Sequence, residues 1–116
     1  MRRVLAMAAL LLASTAAATQ AHHGWGSYDS ARKFTITAAI GEVMWQNPHA
    51  HIMLPYEGAT WEITLAPISR MERRGLTADM LKAGTEVSVE GYPSTRNEHE
   101  MRAERITVAG NTVELR

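Results

Sequence analysis

Hydrophobic residues follow two different orders along this chain. A short unbroken apolar block, Val4 to Ala13, comes first, directly after Arg2 and Arg3. From residue 34 onward the apolar positions alternate with polar ones. Phe34, Ile36, Ala38 and Ile40 alternate with Thr35, Thr37 and Ala39, so Phe34 to Trp45 is expected to form a first, half-buried strand, with Gly41 as a bulge or bend inside it. Asn47-Pro48 marks a turn. His49 to Leu54 is the second expected strand, and Glu57-Gly58 turns into a third, Thr60 to Leu65, with Trp61, Ile63 and Leu65 on one face.

After Leu65 the period changes. Pro67 suits the first turn of a helix, and Ile68, Met71 and Leu76 punctuate a short helical segment that ends near Gly75. Thr77 starts a second short turn, Ala78 to Ala83, closed by Gly84. Alternation returns in Thr85 to Gly91, with Val87 and Val89 inward and Glu86, Ser88 and Glu90 outward. A polar loop, Pro93 to Glu100, precedes Met101 to Val108, and Gly110-Asn111 signals a tight hairpin into a last strand, Thr112 to Leu115. This order predicts a mainly β fold: a small OB-fold-like barrel of five to six strands, with one short helix between strands 3 and 4. A small SH3-like barrel is the main rival.

The apolar block at the start has the layout of a secretory signal: a basic n-region, a hydrophobic stretch of about ten residues, then small residues. That stretch is too short to span a bilayer as a stable helix. Two cleavage positions satisfy the small-x-small rule, after Ala18 and after Ala21; the cut after Ala21 is preferred. The expected organisation is a signal peptide over 1–21, an arm over 22–33 and the barrel over 34–116. With no second apolar span and no cysteine for a lipid or a disulfide, the product is expected in a bacterial periplasm, with no integral membrane segment after cleavage.

Charge narrows the partners. The full chain carries twelve basic and twelve acidic residues; losing Arg2 and Arg3 leaves ten against twelve, a balance of −2. Nucleic acids and anionic membranes reward a basic face, so neither is the expected partner.

Candidate chemistry rests on histidine. Four of the five histidines fall in two tight pairs, His22/His23 and His49/His51. Strand parity puts His49, His51 and Met53 on the face opposite Ala50, Ile52 and Leu54. The aliphatic set is the natural core face, so both imidazoles point outward, about 6.5–7 Å apart along the strand. A cut after Ala21 would make His22 the N-terminus, offering an α-amine and an imidazole to one ion. Imidazole plus amine without thiolate suits copper(II) best, with zinc or nickel next. The metal residues expected are therefore His22, His23, His49 and His51, with Met53 and Met44 as thioethers that suit copper(I).

Other candidates carry less. Trp25, Trp45 and Trp61 could form an aromatic platform for a sugar or peptide, but tryptophans in so small a domain more often pack. Arg70, Arg73 and Arg74 share a helix face that suits an anion, although a solvated face paired with Glu72 or another carboxylate is the plainer reading. His99 lies in a polar loop between Glu98 and Glu100. No nucleophile setting, phosphate loop or carboxylate pair stands out, so no enzyme activity is expected. The alternative to a metal site is a ligand- or protein-binding accessory domain of the cell envelope.

His22-His23-Gly24-Trp25, Trp45-Gln46-Asn47-Pro48-His49, Trp61-Glu62, and Arg74-Gly75-Leu76 ahead of Leu81-Lys82-Ala83-Gly84 together resemble a family of small exported proteobacterial proteins known only as a domain of unknown function. The resemblance spans essentially the whole chain after residue 21. It implies a periplasmic OB-like barrel with the His-His-Gly-Trp and Asn-Pro-His segments as signature positions, and it implies no particular activity.

Overall fold

The computed structural model describes residues 24–116, and the expected signal peptide, His22 and His23 lie outside these described residues. Seven strands form one mainly antiparallel sheet: β1 (Phe34–Ala39), β2 (Glu42–Met44), β3 (His51–Tyr56), β4 (Ala59–Thr64), β5 (Glu86–Pro93), β6 (Glu100–Val108) and β7 (Asn111–Glu114). Their order is β1-β5-β6-β4-β3-β2, with β7 pairing to β6. The expected first strand is therefore two strands at opposite ends of the sheet. The switch occurs between neighbouring residues: the Ile40 amide donates to the Thr85 carbonyl, whereas the Gly41 amide donates to the Met53 carbonyl. The bend anticipated at Gly41 is the point where the chain changes partners.

The alternation seen in sequence sorts the two faces. Ile36, Ile52, Leu54, Ile63, Val89 and Ile106 are fully buried and form the centre of the core with Leu65, Met71, Leu76 and Met101. Their polar neighbours in the strands face outward. The one α-helix among the described residues, α1 (Ile68–Arg73), lies between β4 and β5 and closes the core with Met71. Gly75 sits at φ +91°, the left-handed position that ends a helix, and the Leu76 amide returns to the Met71 carbonyl. The second expected turn is only a 3₁₀ turn, Ala78–Met80, and Thr77 does not cap it with its side chain.

Two pairings shape the outer face. β4 and β6 run parallel, with Glu62 opposite Glu100 and Thr64 opposite Arg102. The register of β5 on β6 shifts between Glu90 and Gly91. Gly91 meets the need for close approach there, because a Cβ would press on the Arg102–Ala103 backbone, 2.8 Å from the Ala103 Cα.

The described part of the arm is docked on the sheet. Trp25–Ser27 makes one 3₁₀ turn, and Tyr28 forms a bridge with Ser94. The Asp29 amide donates to the Pro93 carbonyl and the Thr95 amide to the Ser27 carbonyl. Among the described residues no helix is long and apolar enough to cross a membrane.

Candidate functional site

The outer face of β3, β4 and β6 is built by register. His51 pairs with Thr64, and Thr64 pairs with Arg102, so three polar side chains form one row across three adjacent strands. One step along, Met53, Glu62 and Glu100 form the next row. Ile52 and Ile63 point the other way into the core, which fixes the outward direction of their neighbours.

Tyr28 from the arm and His49 from the turn before β3 complete a cleft of about 260 Å³ over these rows. Tyr28, His49, His51, Thr64, Glu100 and Arg102 line it. His49 and His51 thus both border one small space. His49 itself lies just ahead of β3, and the peptide bond that introduces it, Asn47-Pro48, is cis.

His51 is oriented by its neighbours. Its Nδ1 lies 3.1 Å from Glu62 Oε2 and 3.3 Å from Thr64 Oγ1. A carboxylate can only accept, so in either protonation state the geometry assigns a ring proton to Nδ1, and in the neutral ring it is Nε2 that carries the lone pair. Outer-shell carboxylates hold metal-ligating histidines in this same way.

The far side of the cleft is held by a tyrosine–carboxylate pair. The Tyr28 hydroxyl donates to Glu100 Oε2 at 2.6 Å, and Asn97 Nδ2 donates to Glu100 Oε1 at 2.7 Å. Burial, then the Glu100 hydrogen bond and charge, push the Tyr28 pKa up to about 12, so the phenol is neutral at ordinary pH. Arg102 is 6% exposed, and burial holds its pKa below the usual arginine value. Its guanidinium lies 4.5 Å from the centre of the Trp25 ring, whose environs also hold Arg116 at 4.5 Å and Tyr92 at 5.9 Å. Trp25 thus fastens the arm beside the cleft.

Among the described residues no group of three or more His, Asp or Glu side chains is placed to hold a metal ion. His49 and His51 are at most half of such a site. His22 and His23 lie outside the described residues.

Other expectations resolve differently. Trp25 and Trp61 belong to separate clusters, since Trp61 packs with Phe34, Tyr56 and His99, so the tryptophans make no single platform. Two of the helix arginines turn to the C-terminal strand and not to Glu72. Arg70 Nη1 donates to the Leu115 carbonyl at 2.9 Å, and Arg74 Nη1 donates to the Glu114 and Arg116 carbonyls. His99 is exposed and contributes its ring to the edge of Trp61.

Sequence reasoning did not single out Tyr28, Glu62, Thr64, Glu100 or Arg102 as residues of the site. Their alternation was readable as outward-facing, but no local signal reports that residues 62–64 pair in parallel with residues 100–102.

A family model matches residues 8–102 of the chain. The chain belongs to a family of unknown function, DUF6152. The match covers the Trp45–His49 and Trp61-Glu62 segments and runs through Arg102, so every cleft residue lies within the family's span. No curated protein matches this chain. Among solved structures, a ZRD-deleted mutant of TiaS in complex with agmatine aligns with a TM-score of 0.55 at 13% identity, over 75% of this chain and 27% of that one. Apo TiaS, a tRNA agmatidine synthetase, and a complex of TiaS with its tRNA and ATP align at TM-scores of 0.47 and 0.48, with 15% and 16% identity. These cover 69% and 77% of this chain and 18% and 20% of the TiaS chains. The likeness to the first is one of fold, and this chain spans about a quarter of its length.

Proposed function

We propose that this DUF6152 protein is an exported, periplasmic metal-binding protein without enzymatic activity, taking copper in preference to zinc or nickel. The observation that carries the reading is His51, whose Nδ1 is engaged by Glu62 and which borders one small cleft together with His49. Two imidazoles supply half of a tetragonal copper(II) set. His22 supplies the rest through its α-amine and imidazole once the leader is cut after Ala21, with His23 as the alternative ligand.

Chain length supports that completion. His22 precedes Trp25 by three residues, an extended reach of about 10 Å. Trp25 is fixed over Arg102, and His51 lies two strand spacings away in the same row, again about 10 Å. The two carboxylates Glu62 and Glu100 against the one guanidinium of Arg102 leave the neighbourhood net negative, which favours a cation.

An OB-like barrel is the architecture this reading assumes. It is supported by the helix between β4 and β5, the parallel β4–β6 pair, and the bent β1–β2 segment that supplies both ends of the sheet. In such folds the outer surface of the strands corresponding to β3 and β4 commonly receives ligands.

The test is copper(II) titration of the chain beginning at His22, followed by calorimetry and visible absorption. One equivalent should bind, His49→Ala and His51→Ala should each weaken it at least tenfold, and Glu62→Gln about tenfold. A glycine added before His22 should shift the absorption band by removing the chelating amine. Unchanged affinity in both histidine variants would sink the proposal and leave a non-metal ligand- or protein-binding accessory domain.

A further inference from the structure

At the opposite end of β3 from His51, five residues and about 16 Å along the strand, the core opens to solvent between the start of β1 and the β3–β4 hairpin. The opening is a cavity of about 470 Å³, within the range of small-molecule pockets. Phe34, Tyr56 and Trp61 line its apolar side, and Arg32, Lys33 and Glu57 its polar side. We propose that this cavity binds a small planar aromatic anion, an aryl carboxylate being the simplest member of the class.

Ring geometry selects the shape of the ligand. The three centroids are 5.2, 5.7 and 5.8 Å apart, with interplanar angles of 64°, 42° and 80°. Rings that close are already in contact with one another, so no cation fits between them as in a quaternary-ammonium cage. What remains is their partly exposed outer surface, which a flat ring can cover edge-on or offset. All three are half-buried and packed against the core, so the surface is preformed.

Charge selects the sign. Two cations face one carboxylate across the opening, in a chain whose other charged residues number ten basic against eleven acidic. Lys33 shares its charge with Glu90 at 4.0 Å and Glu104 at 3.7 Å. Arg32 is exposed and makes no ion pair among the described residues, so its guanidinium can grip a carboxylate in two-pronged fashion. The inference does not rest on the histidine cleft, since no residue lines both spaces.

The experiment uses 2-naphthoate as the probe and neutral 2-naphthylmethanol as its control, with the binding site read by NMR on the ¹⁵N-labelled chain beginning at His22. Naphthoate should move the Trp61 indole and the amides of Arg32, Phe34 and Tyr56, leave the Trp25 indole and the His51 amide in place, and bind more tightly than the alcohol. Arg32→Glu, a surface change that spares the core, should weaken naphthoate about tenfold and leave the alcohol unaffected. Equal binding of acid and alcohol, an unaltered affinity in Arg32→Glu, or shifts centred on Trp25 would each overturn the proposal. Tyr56→Ala provides a second check, expected to weaken both probes while amide spectra report an intact sheet.

Discussion

At the Tyr28 hydroxyl, burial and the neighbouring Glu100 carboxylate act in the same direction, and the proton is held until about pH 12. Because the folded-state value lies above the unfolded value of about 10, the associated stability is fully present below pH 10 and is lost as pH rises towards 12. Urea unfolding at pH 9, 10, 11 and 12 should show this loss, and Tyr28→Phe should flatten it while lowering stability at pH 9. A parallel decline in both proteins would assign the effect to other groups, among them Tyr92, whose pKa is raised by burial and by its hydrogen bond to Glu104. The same residue illustrates what single positions reveal. Parity along β3 was enough to place His51 outward, because Ile52 and Leu54 left only one side for the core. Tyr28 followed a Gly- and Ser-rich stretch with no periodicity, and its partner Glu100 lies far along the chain, so nothing local tied them together.

Elements were legible where alternation was strict and were mis-bounded where pairing changes. β5 shows the expected inward Val87 and Val89, but it continues past Gly91 to Pro93 because β6 supplies partners through Met101. The helix is a six-residue segment, and two of its flanking arginines face the C-terminal strand instead of solvent. Arg70 and Arg74 reach carbonyls of residues 114–116, satisfying backbone groups at the end of β7 that have no further strand to bind. A charged donor to a part-buried carbonyl contributes about 1–2 kcal/mol. Arg70→Ala should therefore lower the urea midpoint by an amount corresponding to about 1–2 kcal/mol with the m-value unchanged. No change in midpoint would mean that solvent serves the Leu115 carbonyl equally well. Arg105 adds a surface clamp on the same strand, since it pairs with both Glu90 and Glu114 and draws the Glu114 pKa down.

On the scale of the whole molecule, the described arm is part of the folded body. Trp25 has two guanidinium groups within 4.5 Å of its ring centre and packs against Tyr92, contacts worth about 0.5–2 kcal/mol for each cation. Trp25→Ala should raise hydrogen exchange at the Asp29 and Thr95 amides about tenfold or more, because both bonds tie the arm to the β5–β6 end. Exchange at Ile52 and Ile63, deep in the sheet, should stay as in the parent. Uniform acceleration everywhere would show that the arm is not a separate cooperative unit. The seat of this tryptophan was not legible in the sequence, since Arg102 and Arg116 become neighbours only after β6 and the C-terminal residues are in place.

The sheet order has a kinetic consequence. Its two ends, β1 and β2, are joined by the Ile40-Gly41 peptide, while its middle pair, β4 and β6, joins Glu62 to Glu100 across the helix and β5. Short-range contacts therefore fix only the β2–β3, β3–β4, β5–β6 and β6–β7 ribbons. The central seam, and with it the His51–Thr64–Arg102 row, requires closure of a long loop before any pairing is gained. Chains with such high contact order fold in milliseconds to seconds, well short of the microsecond rates of helical bundles. The histidine cleft therefore exists only where β4 has paired with β6 and the arm has docked, so a ligand that needs both sides of it binds the assembled sheet and not a local hairpin.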